Sequence, residues 1–277
     1  MRLLLTVAGA LVVGIVMVGF GNSAGAAGEK RLNSTRDRNG QELRAASARR
    51  LARAIVTNRR WIRGASFSSL PFGVPTAIST KRLARFPRHG KSFAILTTGD
   101  ARLADDPNLD GADGVENGGP SIRGSRDVTI YRITLRVPRK ASCLSVRFRF
   151  LSEEFPEFVN NAYNDAFIAE LDVSDWNTVS KVHPKIDAPR NFAADAKGNP
   201  ISVNAVGDAS VKPSRAKGTT YDAATRLLRA STPVSPGRHV LYMSIFDQRD
   251  SYYDSAVFLD RLTLDRREPC ESGAVKD

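Results

Sequence analysis

The feature that most constrains the fold of this chain is an alternation of apolar and polar residues that becomes regular after residue 127. Apolar side chains alternate with arginine and threonine over 131–137 and again over 146–150. Successive side chains of a strand point to opposite faces, so this period of two indicates strands with one buried face. Further strand-like segments, separated by turns rich in Pro, Gly, Asn and Asp, lie at 61–75, 92–98, 166–173, 201–206, 225–230, 238–246 and 255–264. The sequence therefore predicts an all-β fold, a two-sheet β-sandwich of the jelly-roll type.

One segment departs from this pattern and predicts a helix over 41–56. Leu51, Ala54 and Ile55 belong to an apolar stripe at helical spacing, and arginines occupy the rest of the surface. The stripe is mostly alanine, which binds lipid weakly. We therefore expect the helix to pack on the β domain and not to lie on a membrane.

The first 26 residues have the composition of an export signal. Arg2 precedes an apolar run over 3–20, and a small-residue tract follows it as far as Ala26. We expect cleavage after Ala26, a disordered leader at 27–40 and a secreted protein. The apolar run is also long enough to span a bilayer, so a membrane tether through an uncleaved segment is the alternative. No second run of that length follows, so no stable transmembrane anchor is expected in the mature chain.

The chain contains two cysteines, Cys143 and Cys270. In an oxidising compartment, two cysteines without a CxxC neighbour pair more often than they bind a metal. We predict a disulfide between them, with two separate thiols as the alternative.

The formal net charge of +12 belongs to the front of the chain. Residues 29–63 carry eleven Lys/Arg and three acids, and residues 81–91 carry five Lys/Arg and no acid, so the remainder is close to neutral. A basic face on an exported protein predicts a partner such as an anionic extracellular polymer or a component of the cell envelope. A solvated face without a partner is the alternative. No nucleic-acid-binding module accompanies the charge.

Two segments, 152–167 and 246–260, place carboxylates and amides beside hydrophobic strands. Such oxygens suit calcium, and like charges this close require neutralisation. We predict that the two loops meet around a calcium ion, the only cofactor expected; the alternative is that the acids are solvated or paired with arginines. The predicted metal ligands are Glu154, Asp165, Asp247 and Asp254, and the predicted ligand rim is Glu153, Glu157, Asn164, Asp250, Tyr252 and Tyr253.

Signatures of enzymes are sparse in this sequence. The three histidines stand apart, and no serine lies in a GxSxG motif. We expect no catalytic residues and no enzymatic activity. A carbohydrate-active hydrolase that uses the same carboxylates is the alternative, because glycosidases need a pair of carboxyl groups across the sugar.

Three blocks carry a resemblance to a known family: FAILTTGDA (93–101), FRFLSEEFPEFVNNAYNDAFIAEL (148–171) and IFDQRDSYYDSAVFLDRL (245–262). They resemble the bacterial choice-of-anchor L domain, with a single domain at 41–268 and a short tail at 269–277. The resemblance implies an extracellular, β-rich surface or adhesion module without an established catalytic activity. Family members are attached by C-terminal sorting signals, and we find none after Asp265. We therefore expect a secreted binding module, and a structural envelope protein held by its basic N-terminal region is a further alternative.

Overall fold

The computed structural model describes residues 43–86, 89–108, 117–119, 121–179 and 185–277. The predicted export signal at 1–26 and the predicted leader at 27–40 lie outside the described residues.

The described residues form two antiparallel sheets. The large sheet contains β1 (Leu43–Ala45), β3 (Thr76–Ser79), β4 (Phe93–Thr97), β6 (Cys143–Ser152), β9 (Ala223–Ala224), β10 (Leu228–Pro233), β12 (Ser255–Asp265) and β13 (Gly273–Lys276). Its strand order is β1-β3-β4-β12-β6-β10-β13, and β9 pairs with the end of β6. The small sheet contains β2 (Ile62–Ser69), β5 (Ser125–Val137), β7 (Ala166–Leu171), β8 (Ile201–Ser202) and β11 (Gly237–Gln248), in the order β2-β5-β11-β7-β8.

This arrangement confirms the predicted all-β, two-sheet sandwich. The chain passes from one sheet to the other between β5 and β6, between β6 and β7, and again on each side of β11. The apolar positions of the period-two pattern face the interior: Tyr131 and Ile133 of β5 pack with Phe148 of β6 and with Leu241 of β11 in one buried cluster. The hydrophobic alternation in the sequence therefore decides which face of each sheet is inside.

The predicted helix over 41–56 is too long. Residues 43–45 form β1, which pairs with β3, and the helix α1 runs only from Ala48 to Ile55. The extended backbone of Ser47 separates the two elements. Leu51 and Ile55 are buried in the core, so the expected packing of the apolar stripe on the β domain is observed. No helix in the described part of the chain has the length and apolar character needed to cross a membrane.

The C-terminal segment is part of the sandwich and not a tail. The predicted disulfide between Cys143 and Cys270 is present, and it holds the chain beside the start of β6. Strand β13 then pairs with β10 along the edge of the large sheet. Four residues that include Gly and Lys show no clear alternation, and this explains why the sequence did not reveal the strand.

Candidate functional site

The two acidic segments meet at one end of the sandwich because β6 and β12 are neighbours. Ser152 lies opposite Ser255 in this pairing, so Glu153 leaves β6 beside the point where Asp254 enters β12. The Glu153 backbone N–H donates to the Asp254 carbonyl oxygen at 3.0 Å, and the Asp254 N–H donates to Glu153 Oε2 at 3.1 Å. Reciprocal bonds of this kind fix the two segments against each other.

Asp165 connects this pair of strands to the small sheet. Its Oδ2 accepts a hydrogen bond from Ser255 Oγ at 2.8 Å, and its Oδ1 accepts one from the Gln248 N–H at 3.2 Å. Its own N–H donates to Glu154 Oε2 at 3.1 Å. One buried carboxylate therefore joins the ends of β6, β7, β11 and β12.

The carboxyl group of Asp247 shares this interior and lies beside Asp165 and Thr98. Its side chain is completely buried, and within the described residues neither of its carboxyl oxygens has a hydrogen-bond partner. The Gln248 Oε1 atom, also buried, has none there either. Buried polar atoms without partners are costly, so three oxygens here could accept a proton or a cation.

The carboxyl groups of Glu154, Asp165 and Asp247 form what we call the carboxyl floor. Burial, together with the charge of Asp165, raises the pKa of Glu154 to about 10, and burial raises the pKa of Asp165 to about 7. The pKa of Asp247 is also well above its ordinary value, because of burial and of the nearby charges of Asp165 and Asp254. The site therefore disfavours three ionised carboxylates unless positive charge is supplied.

The β4 end supplies further groups that the site prediction did not include. Thr98 Oγ1 accepts from the Ser255 N–H at 3.0 Å and donates to Asp254 Oδ1 at 3.4 Å. Asn117 Nδ2 in turn donates to the Thr98 carbonyl oxygen at 2.7 Å. The Asp254 carboxylate lies against Gly99, where a Cβ atom would overlap it. The sequence TTGD at the end of β4 could have indicated this contact. A glycine has no side chain, so another group can approach its backbone closely.

The predicted rim residues do not share one environment. Glu153 is buried beside the floor, and its carboxylate accepts a hydrogen bond from the Asp254 N–H. Glu157 is exposed and Tyr252 is 61% exposed, while Asn164 and Asp250 are only partly exposed. Asn164 Oδ1 accepts from Asn204 Nδ2 at 2.9 Å, which ties the loop to β8.

An aromatic group that the sequence did not reveal supports this rim. The ring of Phe158 lies 5.3 Å from that of Tyr163 and 5.2 Å from that of Tyr253. These contacts hold the 155–163 loop against the 249–253 loop. The exposed surface around Tyr252 is therefore carried by two loops that pack against each other through these rings.

The predicted calcium ligands are gathered at one end of the sandwich, but their carboxyl groups do not converge in this structure. Within the described residues, no three His, Cys, Asp or Glu side chains are arranged to hold a metal ion. The oxygens that suit calcium in chemical type are the unpartnered ones of Asp247 and Gln248, beside the carboxylates of Glu154 and Asp165.

The same geometry disfavours the hydrolase alternative. Glu154 is 1% exposed and Asp165 is completely buried, and both are held in backbone hydrogen bonds. A glycosidase acid and base must flank a bound sugar. A sugar could not reach these two carboxyl groups unless the surrounding loops opened.

Fold and site together define an all-β sandwich with a polar, carboxyl-rich end. The model of the Choice-of-anchor L domain family matches residues 62–265. The chain belongs to this family, as its three sequence blocks suggested. Membership associates it with cell-surface and extracellular binding modules, which is consistent with a protein that is not an enzyme. No curated protein matches the sequence.

Three solved structures show a distant likeness to the fold. TmCBM61 in complex with beta-1,4-galactotriose has a TM-score of 0.28 at 10% identity, covering 74% of this chain and 88% of that one. The K2 cleaved adhesin domain of Lys-gingipain has a TM-score of 0.27 at 10% identity, with coverages of 68% and 82%. The K3 cleaved adhesin domain of Lys-gingipain from Porphyromonas gingivalis w83 has a TM-score of 0.23 at 10% identity, with coverages of 64% and 78%. Likeness at this level says nothing about ligands or site residues.

Proposed function

We propose that this protein is a secreted, non-catalytic binding module for an extracellular polymer, and that calcium at the carboxyl floor stabilises its ligand-binding end. The observation that carries the proposal is the burial of Glu154, Asp165 and Asp247 together, without an ion-pair partner among the described residues. Family membership supports the extracellular setting.

The charge of the carboxyl floor supports calcium as the bound ion. Burying several carboxylates costs free energy, and a divalent cation removes more of that cost than one arginine could. Neither Asp247 oxygen accepts a hydrogen bond from a donor in the described structure, and the Asp165 carboxyl group and Thr98 lie beside them. Glu154, Asp165 and Asp254 would complete the ligand set if their carboxyl groups turned from the hydrogen bonds that they accept in this structure. Calcium tolerates such irregular oxygen coordination better than magnesium does.

The carboxyl floor lies beneath the two loops of the exposed rim, so calcium bound there would support polymer binding by these loops. Asp165 and Asp254 lie at the bases of the 155–163 and 249–253 loops, and these loops carry the exposed Tyr252 and Glu157. An ion at the floor would fix the distance between the two loops. The exposed rim would then be ordered before it meets a polymer, which lowers the entropy cost of binding.

A thermal melt tests the calcium proposal. Calcium should raise the melting temperature and chelator should lower it, with a free-energy change of RT ln(1+[L]/Kd). An equal concentration of magnesium is the control for ionic strength and should act more weakly. A melting temperature that stays constant as calcium is raised to millimolar levels would contradict the calcium part of the proposal.

The binding part has its own experiment. Tyr252→Ala should weaken retention on the polymer that the protein recognises in a screen of immobilised polysaccharides, while leaving the melting temperature unchanged because the ring is exposed. Soluble fractions from the same screen should contain no new reducing ends. Release of reducing ends that is lost in a Glu154→Gln, Asp165→Asn variant would establish the hydrolase alternative instead.

A further inference from the structure

A second polar feature of the molecule is a basic groove of about 710 Å³ between the end of α1 and the turn before β4. Arg53, Arg59 and Arg60 line one side, and Lys91 lines the other. All four side chains belong to exposed residues. Among the described residues that line the groove, none is acidic.

The backbone beneath the groove is held in place by the large sheet. Thr57 donates two hydrogen bonds to the Leu262 carbonyl oxygen, from its N–H and its Oγ1, each at 3.0 Å. Asn58 Oδ1 accepts from the Arg60 N–H at 3.0 Å and so fixes the turn that carries Arg59 and Arg60. The two arginines therefore project from a preformed turn.

Asp260, which contacts the backbone of His89 in the groove lining, is turned inward. Asp260 is 1% exposed, and its carboxylate accepts hydrogen bonds from the backbone N–H groups of His89 and Arg261. The carboxylate is thus occupied below the groove. The groove keeps its positive potential, which favours anions.

This groove is distant from the carboxyl floor. Along β12, Ser255 lies beside the floor and Leu262 lies beneath the groove, a separation of roughly 23 Å at about 3.3 Å per residue. A ligand in the groove would therefore not depend on calcium at the floor.

The shape and surroundings of the groove identify the class of ligand. A membrane surface would require apolar side chains for insertion, but Leu51 and Ile55 of α1 are buried in the core. Single-stranded nucleic acid would require aromatic rings for stacking, and no Phe, Tyr or Trp is among the described lining residues. An open channel with cations on both sides suits a flexible chain that carries separate negative groups.

We propose that the groove between α1 and the turn before β4 binds an acidic polysaccharide, whose carboxylate, phosphate or sulfate groups pair with Arg53, Arg59 and Arg60. This site is separate from the calcium-stabilised end of the sandwich. Of the basic residues in the N-terminal region, only those that line this groove are assigned to anion binding.

The test compares binding of the purified chain to polygalacturonate, dextran sulfate and neutral dextran in low salt with chelator present. We expect binding to both acidic polymers, none to dextran, and weakening as salt is raised. The double variant Arg59→Gln, Arg60→Gln should bind about fivefold to tenfold more weakly, since each exposed ion pair contributes modestly. The matched variant Arg139→Gln, Lys140→Gln removes the same charge from an exposed turn elsewhere and should bind within about twofold of the parent.

Three outcomes would overturn the proposal. An equal loss of polymer binding in the two double variants would show that binding responds to net charge alone. Unchanged binding in the groove variant would place the anion site elsewhere. Capture of phosphatidylglycerol vesicles without binding of either acidic polysaccharide would identify a lipid surface as the partner. A thermal melt of each variant verifies that it is folded. Because polymer binding is measured with chelator present, its outcome does not depend on whether calcium binds at the carboxyl floor.

Discussion

Asp247→Asn is the substitution that most directly tests the electrostatics of the carboxyl floor. The amide has nearly the shape of the carboxylate but no charge. Its oxygen and nitrogen would occupy the positions of two oxygens that accept no hydrogen bond from a donor among the described residues. We expect the variant to be more stable than the parent above pH 7 in chelator.

The size of the pH effect on stability is illustrated by the pKa shift of the neighbouring Asp165. A rise in the pKa of Asp165 from 3.8 to about 7 corresponds, at about 1.4 kcal/mol per pH unit, to about 4 kcal/mol. Because Asp165 keeps its proton in the folded state and loses it in the unfolded chain, this stability is complete below about pH 4. It is lost as the pH rises toward 7. Asp247→Asn removes a second buried group of this kind, because burial and the nearby charges of Asp165 and Asp254 also raise the pKa of Asp247. The variant no longer titrates at this position, so it should lose less stability than the parent over the same rise in pH.

Chemical denaturation at several pH values, with chelator throughout, measures the effect. The parent should lose stability as the pH rises from about 4 to 7, where Asp165 ionises, and further toward pH 10, where Glu154 ionises, and the variant should lose less. In calcium the order should reverse, because the variant lacks one ligand. A variant that is less stable than the parent at about pH 8 in chelator, with an unchanged pH profile, would refute the reasoning: the carboxylates would then be ionised and compensated by groups that we have not identified.

Three further predictions concern the fold and the β4 end of the site. Reduction of the bond between Cys143 and Cys270, which are 127 positions apart, should lower the free energy of unfolding by about 4–5 kcal/mol in the loop-entropy model, measured by denaturation with and without reductant. Leu51→Ala should cost about 2–5 kcal/mol in the same assay, since this fully buried side chain fixes α1 to the core. Gly99→Ala should cost about 1–3 kcal/mol and weaken the response of the melt to calcium, because the new methyl group displaces the Asp254 carboxylate.

Simple controls accompany these variants. A Cys143→Ser, Cys270→Ser variant should match the reduced parent, and Arg50→Ala on the exposed side of α1 should change stability by less than about 0.5 kcal/mol. Gly198→Ala is the control for Gly99→Ala. Its backbone φ is positive, and no atom lies near the position of the new Cβ, so it tests glycine replacement without contact with a carboxylate. A loss of calcium response in Gly198→Ala equal to that in Gly99→Ala would show that Asp254 is not the cause.

The local pattern of the sequence determined the architecture to a large extent. Alternation along β5, β6 and β12 was enough to predict two-sided strands, and the absence of long helical patterns after residue 56 left a sandwich as the consistent solution. The cysteine pair also followed from composition and compartment. The short strands β1, β3, β9 and β13 were missed, because two to four residues carry too little periodicity and their pairing depends on the free edges that longer strands provide.

Whether the acidic residues of the site are solvated or buried depends on the tertiary structure. The sequence identified Glu153, Glu154, Asp165, Asp247 and Asp254 as acids near strand ends, but a strand end can be solvated or enclosed. The pairing of β6 with β12, and of β7 with β11, is what places these carboxyl groups within one interior. Burial is a property of every segment that surrounds a residue. Because these carboxyl groups are buried and not solvated in a surface loop, their charge must be neutralised by protons or by a cation.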